Sequence, residues 1–192
     1  MRTMQEYAHL VGASTSAANT ARLAEEAIKE PHIFFYSSLL RLPSVQALRS
    51  NASFAWIVQV MDVLCYGMVD ALHGLPGSVQ QHLTPLVYRK ASKLSVLSLC
   101  VRDGVSGVLR IRDVQATIEA ATPSEAEELL IDMMSDGLLR GRIDQRGGVV
   151  VLQEFAAREV RLEDVGRIRE KMEKWCRNCD AQIAMLEKMM GE

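Results

Sequence analysis

A chain of 192 residues with 48% hydrophobic and 24% charged side chains has an ordinary globular composition and is long enough to bury a real core. Its net charge of −2 weighs against nucleic acid as the main partner, because a duplex-binding module concentrates lysine and arginine to neutralise phosphates. No apolar run reaches the length of a membrane span, and the first residues lead into no secretory apolar core, so the four cysteines are expected to be reduced thiols of an intracellular protein.

Residues 1–83 read as consecutive short helices. Residues 17–30 form a helix by propensity, with Leu23, Ala24, Ala27 and Ile28 facing inward and Glu30-Pro31 ending it. Residues 34–42 are expected to be helical too, followed by a short helix opened by Pro43-Ser44. Ser53 is then placed to cap a long helix through Leu72. Its residues Phe54, Ile57, Val58, Met61, Leu64, Cys65 and Met68 make it apolar nearly all round, which predicts the buried centre of the helical half. Residues 74–77 read as a loop.

From residue 86 to 157 the pattern is that of a winged helix. An apolar helix over 86–101 precedes a short helix over 109–118, with Ile111, Val114 and Ile118 on one side. Thr122-Pro123-Ser124-Glu125 then supplies an N-cap hydroxyl, a proline at the first helical position and a glutamate to complete a capping box. The helix that follows turns Ala126, Leu129, Leu130, Met133 and Met134 inward and stops at Gly137. Two strands, 138–144 and 149–152, flank a turn at 145–148.

Two surfaces of this unit invite partners. Val149, Val150, Val151 and Leu152 are β-branched or apolar; at a sheet edge they would form a docking template, and if covered they would be core. The capped helix presents Ser124, Glu125, Glu127 and Glu128 where a DNA-reading helix needs basic or amide side chains, so Arg140, Arg142 and Arg146 on the wing are the remaining candidates for a phosphate contact. Asp132 and Asp136 are expected on a solvated face.

The last thirty or so residues change character. Leu162, Val165, Ile168, Met172, Trp175, Cys179, Ile183, Leu186 and Met190 recur mostly at intervals of three or four, a seam that calls for a partner helix. Within it Cys176-Arg177-Asn178-Cys179 lacks the second cysteine pair or nearby histidine that zinc requires. His9, His32, His73 and His82 form no metalloprotease motif, and no nucleophile elbow, phosphate loop or dinucleotide fingerprint occurs, so no catalytic residue, metal or cofactor is expected.

Pro31, residues 39–45 (Leu-Leu-Arg-Leu-Pro-Ser-Val), Tyr66-Gly67, Lys93-Leu94-Ser95, residues 139–146 (Leu-Arg-Gly-Arg-Ile-Asp-Gln-Arg) and Trp175-Cys176-Arg177-Asn178-Cys179 together resemble the PCI-domain family, and within it the signalosome branch. The family is named for the proteasome lid, the COP-nine signalosome and a translation initiation factor. The resemblance implies a mainly α chain: a helical-repeat stack (residues 1–85), a winged helix (86–157) and a C-terminal assembly helix (161–192). It also implies a non-catalytic scaffold in nucleus and cytoplasm, without cofactor or membrane contact, in a complex that removes Nedd8 from cullins. Its partners would be other PCI subunits, met edge to edge at the winged helix and in a bundle of terminal helices. The residues assigned to these contacts are Val149, Val150, Val151 and Leu152 for the edge and Leu162, Val165, Ile168, Met172, Trp175, Ile183 and Leu186 for the bundle. The alternatives are a nucleic-acid-binding winged helix, or a PCI subunit of the lid or the initiation factor.

Overall fold

The computed structural model describes residues 2–103 and 107–190. The chain is mainly helical, with one three-stranded antiparallel sheet and a long last helix. It divides into two units, one ending at Glu159 and one beginning at Val160.

The first unit opens with α1 (Met4–Gly12), started by a capping box in which the Thr3 hydroxyl accepts from the Glu6 amide and the Glu6 carboxylate accepts from the Thr3 amide. Helix α2 (Ala17–Lys29) buries Leu23, Ala24, Ala27 and Ile28, and stops before Pro31. The helix expected over residues 34–42 is shorter: only α3 (Ser37–Leu40) is helical, and the buried Phe34 and Tyr36 precede it. The reason is long-range. The Glu159 carboxylate accepts from the backbone amides of Tyr36 and Ser37 at 3.2 and 2.7 Å, fixing the helix start there.

After α4 (Pro43–Gln46) and a 3-10 turn (Ala47–Ser50), the apolar stretch from residue 53 to 72 divides into α5 (Ala55–Tyr66) and α6 (Val69–His73). Ser53 does not cap it; the Asn51 backbone carbonyl accepts from Phe54 and Ala55 instead. The break falls at Gly67, where an added Cβ would lie 3.0 Å from the Val63 side chain and carbonyl oxygen. The Ser95 hydroxyl accepts from the Val69 amide at 2.8 Å and so starts the second piece. Helix α5 is nonetheless central, burying Ile57, Val58, Val60, Met61, Leu64 and Cys65. A single turn, α7 (Gly77–Gln80), occupies part of the expected loop. Helix α8 (Pro85–Asp103) touches α2, α5, α6, α9 (Ile111–Ile118) and α10 (Pro123–Ser135), which joins the helical stack to the winged helix.

The winged helix carries a strand that the sequence pattern did not disclose. Residues 108–110 form β1 (Val108–Arg110), so the following helix, α9, begins at Ile111 and not at Leu109. Strands β2 (Leu139–Asp144) and β3 (Val149–Phe155) form the wing, and the sheet order is β1-β3-β2 with Leu109 opposite Val150 and Ile143 opposite the same valine. Val149, Val150, Val151 and Leu152 therefore lie in the central strand, and the expectation of an edge there is corrected. Their backbone groups face strands on both sides, Val150 is fully buried, and only Val151 is exposed. Gly141 sits at the β2–β3 irregularity; a Cβ there would stand 2.3 Å from the Val151 carbonyl oxygen.

Helix α10 starts as its sequence dictates. The Thr122 hydroxyl accepts from the Glu125 amide, while the Glu125 carboxylate takes the Ala121 amide, one residue before the cap, at 3.0 Å. Gly137 follows with φ of 72°, the left-handed geometry that ends a helix at low steric cost.

The second unit is a 3-10 turn (Leu162–Asp164) and helix α11 (Val165–Met190).

Candidate assembly surfaces

Helix α11 has 26 residues, about 39 Å at 1.5 Å per residue. Leu162, Val165, Ile168, Met172, Trp175, Ile183 and Leu186 are all exposed, Leu162 at 85% and Trp175 at 67%. Burying an aliphatic or aromatic side chain of this kind is worth about 1.5–3 kcal/mol. Six of the seven lie on α11, and Leu162 lies on the 3-10 turn just before it. Polar positions of the same helix are held by local ion pairs, Asp164 with Arg167 at 3.0 Å and Arg169 with Glu173 at 3.4 Å. Cys176 is exposed and Cys179 half-buried, both as free thiols.

On the winged helix the outer strands are β1 and β2. Arg140 and Arg142 of β2 and Arg146 of the wing turn are exposed, and Arg140 stands 3.7 Å from Glu154. The acidic side chains of α10 are turned to internal use. Glu127 accepts from the Gln145 amide nitrogen at 2.5 Å, and Glu128 and Asp132 pair with Arg89. Lys93 stands 2.5 Å from Asp136 and 3.6 Å from Asp132. Asp132 and Asp136 thus tie α10 to α8 and are not a merely solvated face. The hydrogen bond from Arg89 is the first reason that the Asp132 carboxyl is held below its usual range.

Three further charged side chains, Lys90, Arg158 and Glu159, tie the helical stack together. Lys90, 1% exposed, directs Nζ to the Ile28 carbonyl at 2.7 Å, to the Glu30 carbonyl and to the Tyr36 hydroxyl at 2.7 Å. The Tyr36 hydroxyl itself donates to the Ile33 carbonyl, so Lys90 meets three acceptors. Burial pulls its pKa down to about 7, opposed by the Glu30 carboxylate, while three acceptors match the three protons of the ammonium. Arg158 donates to the carbonyls of Leu64, Cys65 and Gly67 at 3.2, 2.8 and 3.0 Å, and to Leu94 at 2.7 Å. Glu159 starts α3, as described. Lys90 and Lys93 carry a readable signal, cations three apart on an apolar helix. Arg158-Glu159 carries none, since a charged pair after a strand reads as solvated loop.

Burial raises the Cys65 thiol strongly and moves Cys100 up to about 11, which favours the protonated thiol over the nucleophilic thiolate. His73 faces Glu119 at 3.4 Å and His82 stacks on Trp56 at 4.3 Å. Among the described residues no group of three or more His, Cys, Asp or Glu side chains could hold a metal, and no helix is long and apolar enough to cross a membrane.

The PCI domain profile matches residues 75–154, which take in α8, the sheet, α9 and α10. The chain is 23% identical over 188 residues to COP9 signalosome complex subunit 7a of Mus musculus, covering 97% of the chain and 66% of that protein. It is 25% identical to COP9 signalosome complex subunit 7 of Dictyostelium discoideum, over 80% of the chain and 57% of the relative. Eukaryotic translation initiation factor 3 subunit M of Schizosaccharomyces pombe is 23% identical over 93% of the chain and 44% of its own length. The chain thus spans about two thirds or less of the length of these relatives.

Proposed function

We propose that this chain, which carries a PCI domain and is similar along nearly its whole length to signalosome subunits 7, is a non-catalytic scaffold subunit of the COP9 signalosome. In this reading it holds together, in nucleus and cytoplasm, a complex that removes Nedd8 from cullins, and the chemistry belongs to another subunit.

The observation that carries the proposal is the exposed seam of α11. A helix with six large apolar side chains of its seam in water, and Leu162 just before it, calls for a cover, and a bundle of like helices from other subunits covers them at once. The second contact is assigned to the outer strands β1 and β2 and not to the central β3. The acidic residues of α10 are engaged within the fold and add negative charge where a recognition helix would meet phosphate, which disfavours the nucleic-acid reading of Arg140, Arg142 and Arg146.

Affinity purification of the full chain beside one ending at Glu159, with identification of the retained proteins, tests this. The cut belongs at Glu159, because a shorter chain loses the residues that hold α3 and α5. Signalosome subunits that co-purify with the full chain and are lost with the short one support the proposal. Initiation-factor subunits in their place would keep the scaffold role and change the complex.

A further inference from the structure

The four cysteines of the chain divide sharply by environment. Cys65 on α5 and Cys100 on α8 are each 1% exposed, and burial holds both as thiols. Cys176 is exposed and Cys179 half-buried, and both are free thiols on α11. The two reachable sulfurs therefore stand three residues apart, on the same side of one helix. Regular helix geometry puts their α-carbons about 5 Å apart, inside the window of about 4.4–6.8 Å that a disulfide spans. Their β-carbons, about 5–6 Å apart in such a helix, must close by about 1 Å. A disulfide can thus form across this turn, at the cost of its helical regularity. The turn lies at the middle of the seam, with residues 165–175 before it and 180–190 after it.

We propose that Cys176 and Cys179 form a redox-modification site, a dithiol that exchanges with a low-molecular-weight disulfide such as glutathione disulfide. The Cys176 thiolate attacks one glutathione sulfur, forming a mixed disulfide and releasing one glutathione thiolate. The Cys179 thiolate then attacks the Cys176 sulfur, forms the disulfide within the helix and expels the second glutathione. The protein gives up two protons and two electrons, and these convert glutathione disulfide into two thiols. Closing the bond draws the turn out of regular helix, so the two halves of the seam no longer follow one line. A bond that strains its frame is easily reduced, which makes the modification reversible by reduced glutathione. This inference goes beyond the scaffold reading and does not depend on which complex the chain joins.

The test uses the full chain, incubated with mixtures of reduced and oxidised glutathione and quenched in acid for intact mass and peptide mapping. With glutathione disulfide in excess the mass is expected to fall by about 2 Da through a bond joining Cys176 and Cys179, and excess reduced glutathione restores both thiols. The Cα chemical shifts of residues 173–182 move towards coil values in the oxidised chain and return on reduction. Cys179→Ser, at a position with no packed core around it, leaves Cys176 without its resolving partner, and an adduct about 305 Da heavier accumulates. An unchanged mass, a mixed disulfide that persists in the unsubstituted chain, a bond between two chains, oxidation of Cys65 or Cys100, or a Cys176–Cys179 bond with unchanged Cα shifts would overturn the proposal.

Discussion

Arg158 and Glu159 are neighbours in the chain and close opposite ends of two different helices. The guanidinium gathers the carbonyls of Leu64, Cys65 and Gly67 where α5 ends, while the carboxylate takes the Tyr36 and Ser37 amides where α3 begins. Each charge thus meets the helix terminus of opposite sign. The two residues that follow the wing, far from α3 and α5 in sequence, complete the helical stack.

Replacing Arg158 with alanine strips donors from several carbonyls that the fold keeps from water. Unfolding free energy should fall by about 2–4 kcal/mol, read by chemical denaturation. Arg158→Lys should restore only part of it, because one ammonium does not span the carbonyls of both α5 and α8. A loss below about 1 kcal/mol would show that water replaces the guanidinium readily.

Gly141→Ala tests the close approach of β2 to β3. The added methyl would overlap the Val151 carbonyl oxygen, a backbone atom with no rotamer to escape into. The expected cost is about 2 kcal/mol or more, with a lower melting temperature and weakened amide protection in β2 and β3. An unchanged melt would mean that the irregularity at Arg140/Gly141 absorbs the methyl.

The Arg89–Asp132 pair predicts a pH dependence. Asp132 has its pKa lowered in the folded chain, so its contribution is present above the ordinary carboxylate value of about 3.9 and fades as pH falls through and below it. Asp132→Asn should therefore flatten the stability profile below about pH 4 and lower the plateau slightly at neutral pH, the carboxylate being partly exposed and screened. Identical acid profiles for the two proteins would contradict this.

Local chemistry made much of the architecture legible. Thr122-Pro123 and Gly137 bracket α10 because capping and left-handed geometry act within a few residues, and the α11 seam shows in the spacing of Ile168, Met172 and Trp175. Three features escaped because their causes are distant in sequence. Strand β1 is three residues long, too short to show alternation, and exists because β3 pairs with it. The break between α5 and α6 depends on Ser95 taking the Val69 amide, and α3 starts at Ser37 because Glu159 is there. The β1 omission also misplaced a candidate site: without it, β3 reads as an edge.

The resemblance motifs acquire physical reasons in the same way. Gly67 leaves room beside Val63, Lys93 pairs with Asp136, Ser95 starts α6, and Gly141 admits β3. Each of these residues thus meets a requirement of the fold.

The central claim is that α11 is an assembly element whose apolar seam is not needed by the rest of the chain. Substituting Ile168→Asp and Ile183→Asp together, both exposed, and measuring thermal unfolding beside co-purification with signalosome subunits tests it most directly. The account predicts loss of the co-purifying subunits while the stability of the first unit changes by less than about 0.5 kcal/mol. Retained subunits, or a collapse of the first unit, would contradict it.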